Sequence, residues 1–177
     1  MPTKTTKTTK PSRRAAIKAD VIIQSPLWKA EPKARATVRA AVEEADAAVS
    51  TFGGELAIVL TDDSTMRALN RDWRGIDKPT NVLSFPQARG AADAAPVMLG
   101  DIVIAHETTA REAQEQHKRF AHHLAHLAVH GFLHLLGHDH EKDAEAEDME
   151  SLEVAILARL DIPDPYAARD ATADLES

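Results

Sequence analysis

The sequence predicts an α+β fold in which a small mixed β-sheet of about four strands packs with about five helices, and three observations lead to it. Short apolar runs alternate with longer segments whose apolar residues recur at helical spacing. A chain of 177 residues, with 44% hydrophobic and 28% charged residues, suffices for one domain with a core. The segment from about residue 121 to 136 is apolar around its whole circumference, which predicts a buried central helix.

The first half of the chain is predicted to begin with a strand, a helix and a second strand. Asp20–Gln24 and Glu55–Leu60 have the apolar pattern of strands. Between them, Pro32 to about Ser50 has the spacing of a helix, and the glycine pair at 53 and 54 ends that segment.

A second helix is predicted after Asp62-Asp63-Ser64, because these side chains can cap its N-terminus. It ends at Gly75, which sets Arg74 in its last turn. One face of this predicted helix carries a stripe of residues at helical spacing, which consists of Met66, Leu69, Asn70 and Trp73. Trp73 and Phe85 could stack on nucleic-acid bases, but single aromatics at such positions are usually packing residues, so both are assigned to the core.

The second half is predicted to add two strands and three helices. Lys78–Asn81 is a turn into the short strand Val82–Phe85, and the Ala/Pro/Gly-rich segment Pro86–Pro96 is expected to be a mobile loop. Leu99–Ala105 is predicted to be the fourth strand. The remaining helices start at about Glu107, Ala121 and Lys142, and no internal repeat is found.

Charge divides the chain into a basic tail and an acidic body. Residues 1–18 carry six basic residues and no acidic one, although the whole chain has a net charge of −7. This Thr/Lys/Pro-rich segment is expected to be disordered, followed by a single domain at 19–166 and a C-terminal tail at 167–177. Because neither a membrane span nor a signal peptide is found in the sequence, a cytoplasmic location is expected.

The segment from His130 to His140, HGFLHLLGHDH, predicts a metal site. His130 and His134 are four residues apart, so they share one face of a helix and their rings can reach the same point. Gly137 is placed to end the helix and turn the backbone, which lets His140 return as a third ligand. Three protein ligands leave one position open, which is typical of catalytic rather than structural zinc. The chain has no cysteine, so thiolate ligands, disulfides and a cysteine nucleophile are excluded.

The same spacing is that of the metzincin peptidases, with one substitution. The glutamate that acts as general base in those enzymes is replaced by Gly131. A metallopeptidase is therefore a weaker alternative. The sequence has neither a GxxxxGK[ST] phosphate loop nor a GxSxG nucleophile elbow, so nucleotide hydrolysis and serine-hydrolase chemistry have no support.

The histidine segment also resembles the signature of the YbeY family of bacterial rRNA maturation factors, which are metal-dependent single-strand endoribonucleases. Three further segments extend the resemblance: Leu69–Phe85, Leu99–Ile104 and Asp164-Pro165-Tyr166. It implies that His130, His134 and His140 bind one Zn²⁺ ion and that Arg74 is functionally important. His138 stands where the family usually has tyrosine.

The resemblance further implies a role in 3′ end processing of small-subunit rRNA and in ribosome quality control. The implied partners are single-stranded rRNA and the small ribosomal subunit or its proteins, without a membrane or a nucleotide cofactor. Because the body is acidic and tight nucleic-acid binding rests on many phosphate contacts, such a role requires a local basic cleft or a ribosomal partner that presents the strand.

The ligand set suits a phosphodiester, since three neutral imidazoles leave the full charge on Zn²⁺ to polarise an anionic oxygen or activate water. Arg74 is expected to stabilise charge on the non-bridging oxygens. Nickel, copper or another divalent metal remains an alternative to zinc. A third class of function is a non-catalytic ribosome assembly factor that the metal only stabilises.

The chain has nine histidines, so the ligands must be distinguished from their neighbours. His123 and His126 are interpreted as helix-face residues or as groups that support the ligands. His106 and His117 have no partner at a diagnostic spacing and are interpreted as solvated. Asp101 and Asp139 are candidates for orienting a ligand imidazole.

Overall fold

Four strands form one mixed sheet packed with five α-helices, within the residues that the computed structural model describes: 16–49, 53–88, 97–138 and 143–167. The strands are β1 (Ile17–Ile23), β2 (Gly54–Thr61), β3 (Val82–Pro86) and β4 (Met98–Ala105). The helices are α1 (Ala34–Val49), α2 (Asp63–Arg74), α3 (His106–Glu115), α4 (Phe120–Leu135) and α5 (Asp143–Ala158). A short 3-10 helix, Pro26–Ala30, follows β1. The predicted α+β class is confirmed.

The strand order is β1-β2-β4-β3. β1, β2 and β4 are mutually parallel, and β3 pairs antiparallel with β4. Parallel neighbours need a crossover, which α1 provides between β1 and β2. The antiparallel strand β3 lies at one edge, where it borders the candidate site.

The two faces of the sheet are covered by different helices. The larger core lies on the face where α1, α4 and α5 pack, and its fully buried side chains include Ile58, Ile102, Ile104, Phe132 and Ile156. A smaller core lies on the opposite face, where Met66 of α2 packs with Leu83 and Val103. Side chains alternate between faces along each strand, so β4 contributes to both cores.

Several predicted boundaries agree with the structure to within one or two residues. The largest difference among the strands is at β1, which begins at Ile17 rather than Asp20. Residues 1–15, 89–96 and 168–177 lie outside the described residues, so the tails, most of the predicted loop and the domain limits stay predictions. No helix within the described ranges is both long and apolar enough to cross a membrane.

Helix α2 begins and ends as its sequence predicts. Asp62 is the N-cap, and its carboxylate accepts a hydrogen bond from the Thr65 N–H. Gly75 ends the helix in the left-handed conformation, at φ 72°.

The assignment of Trp73 to the core is wrong, because its side chain is 71% exposed. Trp73 lies on the same face of α2 as the buried Met66, but in the last turn of the helix, beside edge strand β3. Its ring contact there is with Phe85, at 5.5 Å between centroids. Phe85 itself is half-buried against the smaller core.

Candidate metal centre

The predicted histidine pair comes together on helix α4. The Nε2 atoms of His130 and His134 lie 3.1 Å apart. Two nitrogens bound to one tetrahedral zinc at about 2.05 Å would be about 3.3 Å apart, so the observed separation fits a shared metal. The same separation is that of a hydrogen bond between the two rings, so the pair is compatible with two ligands to a single ion.

Glu153 of α5 fixes the orientation of the His130 ring. Its side chain is fully buried, and it accepts hydrogen bonds from Nδ1 of His130 at 2.6 Å and Nε2 of His126 at 2.8 Å. The hydroxyl of Tyr166 donates to the same carboxylate. Because Nδ1 of His130 donates to Glu153, the lone pair of its Nε2 is directed towards His134, as a metal ligand requires.

The charge of Glu153 is stabilised by these histidines. Burial raises the pKa of this carboxyl. The hydrogen bonds from His126 and His130 lower the pKa by more than burial raises it, so the net value is about 2. The carboxylate therefore stays ionised at neutral pH. This arrangement of carboxylate, imidazole and metal position is common in zinc proteins, where the carboxylate raises the basicity of the ligand.

The third predicted ligand, His140, lies outside the described residues, as does Asp139. Within the described ranges, no group of three His, Cys, Asp or Glu side chains is assembled around one point. The turn that would return His140 does begin as predicted, because Gly137 has φ 91° directly after α4. The role of His140 stays a prediction.

Arg74 and the histidine pair line one open cleft of about 710 Å³. Arg74 is the last residue of α2 and is exposed. His138, at the end of the turn that follows α4, is exposed and lines the same cleft. Polar side chains of the β3 region also line it: Thr80, Asn81 and Ser84.

Gly131 allows α4 to lie close to the sheet. A Cβ atom at this position would be 2.8 Å from Cγ2 of Ile102 and 3.1 Å from Oγ of Ser84. Ile102 is fully buried, and the Ser84 hydroxyl donates to the Gly131 carbonyl at 2.9 Å. A side chain directly after His130 would therefore require Ile102 or Ser84 to shift, and the peptidase glutamate would be disfavoured there.

A second, partly buried network connects the cleft to the start of α4. The Asn81 amide donates to Glu112 of α3 at 3.0 Å, and Nε2 of the buried His123 lies 2.7 Å from the same carboxylate. Burial raises the pKa of Glu112, but the hydrogen bonds with His123 and Asn81 outweigh it and lower the pKa overall. Asn81 is thereby held in one orientation at the cleft wall.

The other histidines and acids lie in different environments. His126 shares the Glu153 carboxylate with the predicted ligand His130. The solvated interpretation of His106 is wrong, because its half-buried ring packs against Trp28 at 5.1 Å between centroids. Asp101 is exposed on β4, so its carboxylate does not take the orienting role that Glu153 fills.

Sequence reasoning missed Glu153 itself, although the sequence contains a usable signal. Glu153 is the one charged residue within the otherwise apolar run Leu152–Leu157. A lone acid in a buried helical stretch is rarely tolerated without a partner, and here its partners are histidines.

The fold and the site define a small α+β protein in which a close histidine pair on the central helix and an exposed arginine line one open cleft. The family model described as endoribonuclease YbeY matches residues 23–161. Together with the relatives described next, this match shows that the chain belongs to the endoribonuclease YbeY family.

Several curated relatives carry the name endoribonuclease YbeY. The relative from Rhodopseudomonas palustris (strain BisB18) is 59% identical over 156 residues, covering 85% of this chain and 93% of the relative. The relative from Nitrobacter hamburgensis is 59% identical over 157 residues, covering 85% of this chain and 83% of the relative. A relative from Bradyrhizobium sp. (strain BTAi1) is 55% identical over 159 residues, covering 85% and 93%.

Among solved structures, the solution structure of TM1509 from Thermotoga maritima is similar to this chain. The TM-score is 0.53 at 21% sequence identity, and the match covers 90% of this chain and 96% of TM1509. At this identity the similarity supports the fold alone.

Proposed function

We propose that this protein is a metal-dependent endoribonuclease that cuts single-stranded RNA. The observation that carries the proposal is the cleft that Arg74 lines together with His130 and His134, whose Nε2 atoms are paired. Membership of a family whose curated relatives are named endoribonucleases supports the same reaction class.

The residues of the site fit a zinc ion, with His130, His134 and the predicted His140 as its ligands. When bound, zinc supplies Lewis acidity towards a phosphate oxygen and lowers the pKa of water. Glu153 holds the His130 tautomer that such a ligand requires. Arg74, which lines the same cleft, binds the scissile phosphate and stabilises the charge that develops on its non-bridging oxygens.

The lack of space at Gly131 argues against the peptidase alternative. A metzincin-type general base would occupy this position, and a Cβ atom alone would already contact buried Ile102 at 2.8 Å.

We further propose that the substrate is rRNA, processed at the 3′ end of the small-subunit species during maturation and quality control of the ribosome in the cytoplasm. The net charge of −7 supports a partner, because an acidic protein gains little affinity from phosphate contacts alone. The small ribosomal subunit or its proteins would present the single strand to the cleft.

Cleavage of single-stranded rRNA by purified protein tests the proposal, with the native metal quantified and casein as a peptidase control. We expect about one metal ion per chain and cleavage of RNA but not of casein. His134→Ala should lose metal and activity together. Arg74→Ala should keep the metal and lose about 100-fold in cleavage rate, as expected for removal of a charge-stabilising donor.

Arg71→Ala is the matched control, because Arg71 is an exposed arginine of the same helix that pairs with Asp72. Equal rates for the Arg74 and Arg71 variants would contradict the role of Arg74. Casein cleavage without RNA cleavage would favour the peptidase. Bound metal with neither substrate cut, and unfolding on its removal, would favour a non-catalytic assembly factor.

A further inference from the structure

Trp73 is the most exposed of the large apolar side chains in the described part of the chain. Its exposure is 71%, compared with 46% for the next, Val97. Keeping an indole in water forgoes the burial that normally stabilises a tryptophan. An exposed tryptophan beside a functional cleft is therefore a candidate contact for a ligand with an aromatic or apolar surface.

Trp73 does not line the cleft itself, but residues next to it do. Arg74, the next residue in α2, lines the cleft. Phe85 contacts the indole in an edge-to-face arrangement, and Pro86, the next residue of β3, lines the cleft as well. Trp73 therefore adjoins residues of the cleft lining, which is the position that a nucleotide next to a phosphate at Arg74 would need.

The backbone that carries Trp73 is held in a defined position. The Gly75 N–H donates to the Arg71 carbonyl at 3.0 Å, which closes the helix. The amide of buried Asn70 donates to the Lys78 carbonyl at 2.8 Å, which fixes the segment that follows. This backbone is preorganised, so ligand binding at the indole does not have to order it.

The charge around Trp73 is cationic, although the chain as a whole is acidic. Residues 67–78 contain four basic and two acidic side chains. Arg67 and Arg71 pair with Asp77 and Asp72. Arg74 and Lys78 belong to neither pair and are both exposed, so they can meet an anionic backbone.

We propose that Trp73 is a base-stacking subsite, which binds the base of a nucleotide next to the phosphate held by Arg74. This inference rests on the proposed function and extends it to substrate recognition. A nucleobase offers an aromatic face with an adjoining phosphate, which matches an exposed indole beside an exposed arginine. Stacking of this kind tolerates any base but needs an unpaired one, so it selects single strands over duplexes.

Binding of two short single strands tests the subsite, one of mixed sequence and one with the same phosphates but no bases. Both carry 2′-O-methyl groups, so that attack by the 2′-hydroxyl is blocked. We expect Trp73→Ala to weaken binding of the first strand by about fivefold to 150-fold and to leave the abasic strand unaffected. Trp73→Phe should keep most of the affinity. Leu27→Ala, which removes another exposed apolar side chain, is the control.

Tryptophan fluorescence provides a direct readout, because the second tryptophan is shielded. Trp28 is 1% exposed, and its Nε1–H donates to the Thr61 carbonyl at 2.8 Å. Stacking should quench the emission of Trp73, and Trp73→Phe should abolish that quenching while Trp28 still emits.

Equal losses for both strands in Trp73→Ala, or no loss for either, would overturn the subsite. The second result would favour a protein contact at this indole. Quenching that persists in Trp73→Phe would overturn it too. Two outcomes separate the subsite from the proposed function. Base-dependent binding by a protein that cuts no RNA would support the subsite and refute the proposed nuclease.

RNA cleavage with unchanged binding in Trp73→Ala would support the nuclease and refute the subsite. If the wild type bound neither strand, both the subsite and a directly bound single-stranded substrate would be refuted.

Discussion

Glu153 is predicted to hold His130 in its metal-binding orientation, and Glu153→Gln tests that role with little change in shape. The wild-type carboxylate is fully buried and accepts hydrogen bonds from His130 and His126, at 2.6 and 2.8 Å, and from Tyr166. In the glutamine variant one carboxylate oxygen is replaced by an NH₂ group, which cannot accept a hydrogen bond. The two imidazoles then compete for a single neutral acceptor.

The expected size of the effect follows from these contacts. A hydrogen bond to a charged group contributes about 1.5–3 kcal/mol and a neutral one about 0.5–1.5 kcal/mol, so two weakened imidazole bonds cost about 2–3 kcal/mol. The neutral amide is cheaper to bury than the carboxylate, which offsets part of this loss. We expect about 2 kcal/mol lower free energy of unfolding for the metal-free variant. Loss of the orienting carboxylate should also weaken zinc binding by about 10-fold to 100-fold.

The pH dependence of stability has a defined sign. The pKa of Glu153 is lowered in the folded state from 4.5 to about 2, so its stabilisation is complete above about pH 4.5 and is lost as the pH falls towards about 2. Glu153→Gln should lack this part of the acid dependence.

Urea unfolding of metal-free protein across this pH range and competition for zinc with a chromophoric chelator measure these effects. Glu147→Gln, an exposed carboxylate of the same helix, is the control. Zinc affinity and acid dependence equal to those of the control would refute the reasoning.

Two further substitutions test how the site is supported. Gly131→Ala should lower the free energy of unfolding by up to about 2 kcal/mol, because overpacking against Ile102 costs about 1–3 kcal/mol and better helix propensity returns about 1 kcal/mol. A urea midpoint above that of the wild type would contradict the close approach of α4 to the sheet. Trp28→Phe should cost about 1–3 kcal/mol in thermal or urea unfolding, since it leaves the buried Thr61 carbonyl without its 2.8 Å donor. Its RNA cleavage should be unchanged where the variant is folded, and a selective loss of cleavage would contradict this purely structural role.

Local signals in the sequence predicted much of the fold. Asp62 and Gly75 end α2 because capping depends on the side chain and backbone freedom of single residues. The pairing of His130 with His134 follows from helical geometry alone. These features needed no knowledge of distant parts of the chain.

Features that depend on tertiary packing were not predictable in this way. Helical periodicity places Trp73 on the same face as Met66, but it does not show that the last turn of α2 lies beside the sheet edge. Glu153 lies 23 residues from His130 in sequence, and no local pattern pairs them. Arg74 was selected only by family resemblance, and the topology then explains its place, because α2 leads into edge strand β3 beside the histidines.

The close approach at Gly131 also restricts how this scaffold can change during evolution. A mutation that introduced an acid after His130 would first have to displace buried Ile102 or Ser84, so the change is harmful unless the sheet has already altered. Such dependence of one substitution on another is epistasis. Two motifs that differ by one residue are therefore also separated by repacking at Ile102 or Ser84.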